Sequence, residues 1–408
     1  MSLVPAGPDT PVLYRGHSLF DGHSEGARAG VGLLVADGRV RAVGPVDALT
    51  GRAGGPVRTC DLGDGVVVPG FVDAHTHVTI RPGEGDQHGQ LVRPAVWQTI
   101  RGVQNLERML ASGVTTAKIM TEEHDIDFEY RDAIARREVR GPRLLVAGPG
   151  LSPPGGHGSA AGAVAGVEPL RAAVRVRAGR GADHIKIFTT GGVSSVGSSL
   201  AESNYSAEEI AAVVDEARRA GLRVSSHAHG GPGVDLAVEN GIHSIEHGAL
   251  LDEGNLEAMR RHRTWLVLTT SILFHPEGIE QGDARVPQIM AKVQAARAYL
   301  SENAARIRAA GIRIAVGTDS MHGYFGHEVE WLVRHGWTEQ EALVAATRNG
   351  GEILGDPGAG VLAPGSRADF VVLRRDPFAD ISAVHEVEQV YRGGQLLVDR
   401  SSAGAARG

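Results

Sequence analysis

Short apolar runs rich in β-branched residues recur along the middle of the chain and alternate with segments of helical pattern. Such alternation is typical of a parallel α/β fold, in which each buried strand is a nearly continuous hydrophobic run. Eight candidate strands can be identified, at residues 71–75, 114–119, 143–147, 184–188, 223–227, 242–247, 265–269 and 312–317. Eight parallel strands are the number that closes a (β/α)8, or TIM, barrel. The sequence therefore predicts an α/β fold built on such a barrel.

Two of the intervening segments carry clear helix start signals. Ser206 is followed at once by acidic residues and an alanine-rich amphipathic run, which is the pattern of an N-cap and a first helical turn. Thr338 stands three residues before Glu341, which is the spacing of a capping box. We expect a helix to begin directly after each of these two residues.

Side chains of the kind that bind metals stand at the C-terminal ends of five predicted strands. His75 and His77 are two residues apart, so on a strand both rings point to the same face. The later positions are Lys186, His227, His247 and Asp319. One His-x-His pair arises readily by chance in a chain with 18 histidines, but five such strand ends do not. In a TIM barrel these ends meet at the rim that carries active sites, which indicates a metal site.

The donor set contains imidazoles and a carboxylate but no thiolate, which suits zinc and leaves manganese, iron and cobalt open. Lys186 is an unusual member, because an ammonium group cannot ligate a metal and the flanking isoleucines indicate a buried strand. A carbamate formed with carbon dioxide would turn this amine into a carboxylate that bridges two metals. An ion pair with a nearby acid such as Asp183 is the alternative.

The two ends of the chain differ from this middle part. Before residue 70 and after residue 360, apolar and polar positions alternate between turn dipeptides, which favours β-hairpins. These dipeptides are Asp21-Gly22, Asp37-Gly38, Asp64-Gly65 and Gly393-Gly394. Neither end has enough strands for a sandwich of its own. We therefore expect 1–69 and 359–408 to form one small β-sandwich domain beside a barrel at 70–358, with a frayed tail after Arg400.

The charge balance excludes several classes of partner. The chain has 41 Lys and Arg against 48 Asp and Glu and no basic stripe, so neither nucleic acid nor an anionic membrane is expected. Its single cysteine, Cys60, permits no disulfide framework. Residues 1–9 lack a signal-peptide pattern, and no stretch is long enough to span a bilayer. We expect a cytoplasmic protein that acts on a small molecule, with assembly into a homo-oligomer left open.

Several motifs resemble those of the amidohydrolase superfamily and occur in that family's order. The opening match is Val68-Pro69-Gly70-Phe71-Val72-Asp73-Ala74-His75-Thr76-His77. The later matches are Gly155-Gly156-His157-Gly158, His184-Ile185-Lys186-Ile187, Tyr205-Ser206-Ala207-Glu208-Glu209, His227-Ala228-His229-Gly230, Ser244-Ile245-Glu246-His247-Gly248 and Gly317-Thr318-Asp319. Within the superfamily, the chain resembles the imidazolonepropionase-related group, which includes Xaa-Pro dipeptidases. The resemblance covers nearly the whole chain.

The resemblance implies a distorted eight-stranded barrel, a composite β-sandwich and a site with two divalent metals, zinc first among them. The implied ligands are His75, His77 and Asp319 for the buried metal, Lys186 as a bridging carbamate, and His227 and His247 for the outer metal. Two metals lower the pKa of a bridging water and polarise a carbonyl, and Asp319 could pass the proton to the leaving amine. The implied reaction is hydrolysis of an amide by metal-activated hydroxide. It would release a C-terminal amino acid from an Xaa-Pro-like dipeptide or an N-acyl amino acid.

Further residues are candidates for contact with the substrate. His229 could hydrogen-bond the reacting group and assist catalysis, or it could face solvent. His157 lies in a glycine-rich turn where the backbone can approach a ligand. Tyr205 would reach a substrate carboxylate according to the resemblance, or it packs in the core. His124 lies in a loop that departs from the family pattern. It either contacts the substrate or faces solvent. Glu246 is expected to be a supporting carboxylate.

Two other functions stay open at this point. The fold hosts many substrates through loop variation, so the second candidate is a hydrolase of a cyclic amide, a lactone or a xenobiotic amide. That candidate predicts no preference for a free carboxylate. The third is a non-catalytic metal-binding scaffold, which predicts the loss of a ligand although all six candidates are present.

Overall fold

The computed structural model describes residues 10–52, 55–159 and 163–401. Residues 1–9 and, apart from Ser401, the tail predicted to fray lie outside this part of the chain. The strands are β1 Val12–Arg15, β2 Ser18–Leu19, β3 Arg28–Ala29, β4 Val31–Ala36, β5 Arg39–Pro45, β6 Arg58–Asp61, β7 Val66–Pro69, β8 Phe71–Thr76, β9 Val114–Ile119, β10 Arg143–Leu145, β11 Ile185–Phe188, β12 Val224–Gly230, β13 Ser244–Leu250, β14 Trp265–Leu268, β15 Ile314–Val316, β16 Phe370–Leu373, β17 Val387–Arg392 and β18 Gln395–Asp399.

Fourteen α-helices and two short 3-10 helices, Pro82–Glu84 and Ile381–His385, lie in the described residues. The α-helices are α1 Val46–Arg52, α2 Gln87–Leu91, α3 Ala95–Ala111, α4 Ile126–Ala135, α5 Val167–Arg180, α6 Ala207–Arg219, α7 Gly231–Glu239, α8 Glu253–His262, α9 Ser271–Phe274, α10 Ile279–Asp283, α11 Pro287–Ala309, α12 Phe325–Arg334, α13 Glu339–Ala346 and α14 Arg348–Leu354. None of these helices combines the length and apolar character needed to cross a bilayer.

Eight parallel strands, β8 to β15, form the barrel, and each coincides with one of the predicted strands. They pair in two groups, β10-β9-β8 and β11-β12-β13-β14-β15. The side chains of these strands are almost all buried, because helices cover the outside of a TIM barrel and side chains fill its interior. The predicted fold class is confirmed.

The barrel is distorted where the two groups of strands meet. On one side only an isolated parallel bridge joins Leu151 to Ile187, and the Leu151 amide donates to the carbonyl of Lys186 at 2.8 Å. On the other side the Asp319 amide donates to the carbonyl of His75 at 2.9 Å. Closure of the barrel therefore brings Asp319, just after β15, next to His75 on β8.

The two ends of the chain form the expected β-sandwich. One sheet has the order β5-β4-β1-β6, and the other has the order β18-β17-β16-β7-β2-β3, so that β7 from the N-terminal side pairs with β16 from the C-terminal side. Asp37-Gly38 turns β4 back into β5 as a tight hairpin, with both residues at positive φ. Asp64-Gly65 is not a hairpin turn, because it connects β6 of one sheet to β7 of the other. The exact domain boundaries stay a prediction.

The two predicted helix starts are confirmed. Ser206 caps α6 and Thr338 caps α13, and in both cases the glutamate three residues later completes a capping box. Each capping box satisfies backbone amides that an α-helix leaves without partners in its first turn. The two helices therefore begin at the residues that the sequence indicated.

Gly317 is required at the end of β15, because a Cβ at this position would lie 2.5 Å from the His75 amide nitrogen and 2.6 Å from the His75 Cβ. Gly317→Ala is expected to destabilise the protein by about 1–3 kcal/mol through overpacking, visible as a lower Tm in a thermal melt. Gly179→Ala is the matched control: nothing lies within 4 Å of its Cβ in α5, so alanine should be neutral or stabilising. Equal Tm values for the two variants would contradict the prediction.

Candidate active site

A pocket opens at the C-terminal ends of the barrel strands. Its polar lining includes His77, His88, Thr121, His157, Lys186, His227, His229, His247 and Asp319. Its apolar lining includes Ile80, Leu91, Phe188, Val193, Ile272, Leu273 and Ile279. All the predicted metal ligands except His75 therefore line one cavity, and His75 contacts Asp319, which lines it.

The carboxylate of Asp319 faces three imidazoles. Its Oδ1 lies 3.3 Å from Nε2 of His75 and 3.4 Å from Nε2 of His77, and its Oδ2 lies 3.7 Å from Nδ1 of His247. One donor atom each from His75, His247 and Asp319 falls within 4.8 Å of the others. Three barrel strands thus converge on one set of metal-ligating atoms.

Two of these residues have backbone conformations that side-chain-bearing residues rarely adopt. His247 has a φ of 73° within β13, and Asp319 has a φ of 46°, followed by Ser320 at 76°. Positive φ costs energy in residues other than glycine and is concentrated at functional sites. The backbone is therefore held so that both side chains turn into the pocket.

Each imidazole of this group has a hydrogen-bond partner besides Asp319. Nδ1 of His75 bonds to Oε2 of Glu246 at 2.8 Å, and Nδ1 of His77 bonds to the Thr121 carbonyl at 3.0 Å. Nδ1 of His247 lies 2.7 Å from the hydroxyl of Thr269. Such contacts fix the tautomer and orientation of a metal-ligating histidine. For His75 and His77 they direct Nε2 at Asp319.

Two histidines of β12 lie next to this group. The ring of His227 is 4.5 Å from that of His247 between centroids, and its Nε2 lies 3.2 Å from the Gly191 carbonyl. The ring of His229 is 5.3 Å from that of His247, and neither of its nitrogens has a hydrogen-bond partner in the described chain. His227 is thus adjacent to the tight group rather than part of it, and His229 presents two unsatisfied nitrogens to the pocket.

Lys186 is fully buried on β11, and its Nζ has no hydrogen-bond partner among the described residues. Burial lowers the pKa of its amine to about 8, against the opposing effect of Glu246 and Asp319. Asp183, the alternative ion-pair partner, instead accepts from the Val146 amide at 2.9 Å and pairs with Arg131 at 3.3 Å. The structure therefore contains no ion pair between Lys186 and Asp183.

The electrostatics of the pocket favour neutral imidazoles at three histidines and an ionised carboxylate at Asp319. Burial, reinforced by neighbouring histidines, lowers the pKa of His157, His227 and His247 well below the usual range. Burial alone would raise the pKa of Asp319, but the imidazoles beside it outweigh burial and hold that pKa well below its usual range. Neutral imidazole and ionised carboxylate are the forms that bind metals.

The donor set fits a divalent metal. Separations of 3.3 and 3.4 Å between donor atoms match the edge of about 3.3 Å that ligands at about 2.0–2.1 Å from a tetrahedral ion define. Nε2 of His75 and Nζ of Lys186 are buried without a hydrogen-bond partner in the described chain. Buried polar atoms normally have hydrogen-bond partners, so two atoms without one at a single site fit a place where a metal ion binds.

His157 lines the pocket, as expected, and belongs to a small polar group that the sequence did not reveal. Its Nδ1 lies 2.6 Å from the hydroxyl of Ser195 and 3.1 Å from Nε2 of His88. His88 lies on α2, directly after the loop that follows β8. A histidine in a glycine-rich loop behind the first barrel strand was the signal that could have identified it.

Two of the predicted substrate contacts lie away from the pocket. The hydroxyl of Tyr205 donates to the Val164 carbonyl at 2.8 Å, and its ring packs in the hydrophobic core. His124 is exposed, and its Nε2 lies 3.2 Å from the Arg93 carbonyl. Tyr205 is therefore a packing residue of the core, and His124 is an exposed loop residue.

Lys118 is a second buried lysine that sequence reasoning missed. It lies on β9, donates to the hydroxyl of Ser225 at 2.6 Å and lies 4.0 Å from Oε1 of Glu246. Its signal was the same as that of Lys186, a lysine in the middle of an apolar strand. Lys118 differs from Lys186 in being satisfied, so it supports Glu246 instead of facing the pocket.

Comparison with known proteins is consistent with this geometry. The model of the amidohydrolase family matches residues 66–397. Ochratoxinase from Aspergillus niger is 31% identical over 370 residues, which cover 81% of this chain and 75% of that protein. A crystal structure of a Xaa-Pro dipeptidase with bound methionine in the active site aligns with a TM-score of 0.85 at 26% identity, covering 95% of this chain and 100% of that one.

A crystal structure of a prolidase complexed with N-methylphosphonate-L-proline aligns with a TM-score of 0.85 at 28% identity, covering 96% of this chain and 100% of that one. These matches extend over the barrel and the β-sandwich alike. With imidazoles and a carboxylate gathered at the barrel rim, they confirm the family resemblance noted in the sequence. The chain belongs to the amidohydrolase family and is a metal-dependent hydrolase that acts on carbon–nitrogen bonds.

Proposed function

We propose that this protein hydrolyses an amide bond and releases a C-terminal amino acid from an Xaa-Pro-like dipeptide or an N-acyl amino acid. The observation that carries the proposal is the convergence of Asp319 and three imidazoles at a pocket lined by both polar and apolar side chains. The amino-acid-like ligands bound by two of the similar structures support the choice of substrate class.

Two divalent ions, zinc first among them, are proposed to bind here. His75, His77 and Asp319 would hold one ion, His227 and His247 would hold the other, and Lys186, as a carbamate, would be a ligand of both. When bound, such ions lower the pKa of a water molecule and polarise the carbonyl of the amide. Asp319 would accept a proton from the attacking water at its carboxylate and deliver it to the nitrogen of the leaving amino acid.

Lys186 is proposed to act as a carbamate. Its neutral amine forms a bond between Nζ and the carbon of carbon dioxide and gives up one proton to water, so that Nζ carries a carboxylate group. The proposal is supported by the position of Nζ, buried without a partner beside Asp319 and the imidazoles. A carboxylate suits this position, because its negative charge attracts a metal ion. An ammonium group at the same place would repel the ion.

The remaining pocket residues are proposed to hold the substrate. His229 and His157 present imidazole nitrogens that can bond to the carboxylate or carbonyl of the substrate. Leu91, Ile272 and Ile279 also line the pocket and give it apolar surface for the side chain of an acyl group or amino acid. His229 therefore orients the substrate beside the carbonyl that is attacked.

A second candidate is hydrolysis of an amide that carries no free carboxylate, such as a cyclic or xenobiotic amide. The lining supports it, because among the described residues of the pocket no arginine is present and the single lysine, Lys186, is buried. A substrate carboxylate would therefore meet imidazoles instead of a permanent cation. The two candidates differ in one measurable preference.

The first experiment compares an N-acyl amino acid with the matching amide in which the α-carboxylate is replaced by hydrogen. If the carboxylate is bound, kcat/KM for the acid exceeds that for the decarboxylated substrate by about 100-fold, because polar groups of the pocket would otherwise be left unpaired. Equal values would favour the second candidate. Zinc-loaded protein without turnover on either substrate, or on lactones, would favour a scaffold.

Lys186→Ala is expected to lower turnover by about 100-fold or more and to reduce the content of bound metal, because a bridging ligand is lost. Added acetate or propionate should restore part of the activity by occupying the place of the carbamate. Lys118→Ala is the matched control, a buried barrel lysine that should show no such rescue. Full turnover of Lys186→Ala with metal bound would show that the bridging role is wrong.

Glu246→Gln is expected to weaken metal binding by about 10- to 100-fold, because the amide no longer supplies the charge that holds Nδ1 of His75. Titration of the metal-free protein with zinc measures the change. Asp127→Asn serves as the control, since this buried carboxylate accepts from the Ala147 and Gly148 amides, away from the imidazoles. Equal weakening in both variants would point to a general loss of stability.

A further inference from the structure

A second cluster of imidazoles and a carboxylate lies outside the pocket, where α12 meets the 3-10 helix Ile381–His385. It consists of His327 and Glu330 on α12 and of His385. One donor atom of each of the three lies within 4.8 Å of the other two. The proposed hydrolysis uses none of these residues.

The geometry of this cluster is that of an open metal site. Oε2 of Glu330 lies 3.1 Å from Nε2 of His385 and 4.0 Å from Nδ1 of His327. One distance is shorter and the other longer than the separation of about 3.3 Å expected between two ligand atoms of a tetrahedral zinc ion. The other oxygen of Glu330 pairs with Arg334, so Oε2 is the one left to face the rings.

Packing holds the three donors in place. His327 and Glu330 stand three residues apart on α12 and therefore share one face of the helix. The ring of His385 packs against the same helix, since a Cβ on Gly326 would lie 2.7 Å from its Nδ1. This contact turns Nε2 of His385 toward Glu330, so the donors are arranged before any ligand arrives.

A fourth donor is close by. The ring of His275 lies 4.6 Å from that of His327 between centroids. Its Nδ1 accepts from the Glu277 amide at 3.2 Å, which leaves Nε2 as the ring atom available to a ligand. The side chains of His327 and His385 are 35% and 32% exposed, so an ion can enter from solvent.

We infer that His327, Glu330 and His385, with His275 or a water as the fourth ligand, bind one divalent transition-metal ion of the zinc type. The ion links α12 of the barrel to the segment that leads into β17 of the sandwich. A simple ion pair accounts for Glu330 and His385 but not for His327, whose ring makes no hydrogen bond to any described residue. Zinc in proteins typically has three or four such ligands, and a water completes the set where only three are side chains.

The test is a count of zinc per chain after equilibrium dialysis of the intact protein, by elemental mass spectrometry. His327→Ala and the double variant His327→Ala with His385→Ala should each bind about one zinc ion fewer than the wild type. His262→Ala, which removes an exposed histidine at the end of α8, should bind as many as the wild type. His327→Ala leaves the pair of Glu330 and His385 intact, so its folding is not at risk from that loss.

A thermal melt gives the second readout. Saturating zinc should raise the Tm of the wild type by about 3 °C more than that of His327→Ala, because binding to the folded state alone stabilises it. Equal zinc counts, or equal zinc-dependent shifts in Tm, would overturn the inference. In Lys186→Ala the zinc bound by this cluster should persist, so failure of the proposed two-metal hydrolysis and failure of this site give different counts.

Discussion

The carboxylate of Asp319, placed against the imidazoles of His75, His77 and His247, is the interaction on which the rest of the structure depends. The negative charge of a buried carboxylate is costly unless opposite charge or strong hydrogen bonds surround it. Closure of the barrel brings the imidazoles to this carboxylate. The Asp319 backbone amide donates to the His75 carbonyl where the two groups of strands meet, and this places the Asp319 side chain beside the ring of His75. The closure that completes the fold therefore also brings the metal-ligating atoms together. Behind them, Glu246 contacts His75, and Lys118 lies next to Glu246.

Much of the fold followed from local patterns. Eight apolar, β-branched runs identify the barrel strands because parallel strands are buried on both faces, and Ser206 and Thr338 mark helix starts because capping is decided within one turn. Asp64-Gly65 was misread as a hairpin turn. A turn dipeptide reports a local backbone preference, whereas the sheet that the next strand joins is decided by partners far away in the sequence, here β16.

The candidate site was predictable only where its residues stand at the ends of strands. Strand ends gather at one rim in this fold, so histidines and an aspartate at those ends could be grouped without coordinates. Contacts between loops could not be, which is why His88 was missed and why Tyr205 turned out to bond to Val164. The two buried lysines look alike in the sequence, and only the presence of Ser225 beside Lys118 separates the satisfied amine from the unsatisfied one.

The pairing of β7 with β16 has a consequence for how the chain reaches this state. Strand β7 runs almost directly into β8, yet its antiparallel neighbour comes from the far side of the whole barrel. A ribosome releases β7 and β8 long before β16, so the first barrel strand begins its existence beside an open sheet edge. Contacts this distant in sequence slow folding and expose unpaired edges meanwhile. The sheet that joins the two ends of the chain therefore forms late. We expect the partly synthesised chain, with β7 still unpaired on the side of β16, to be prone to aggregation.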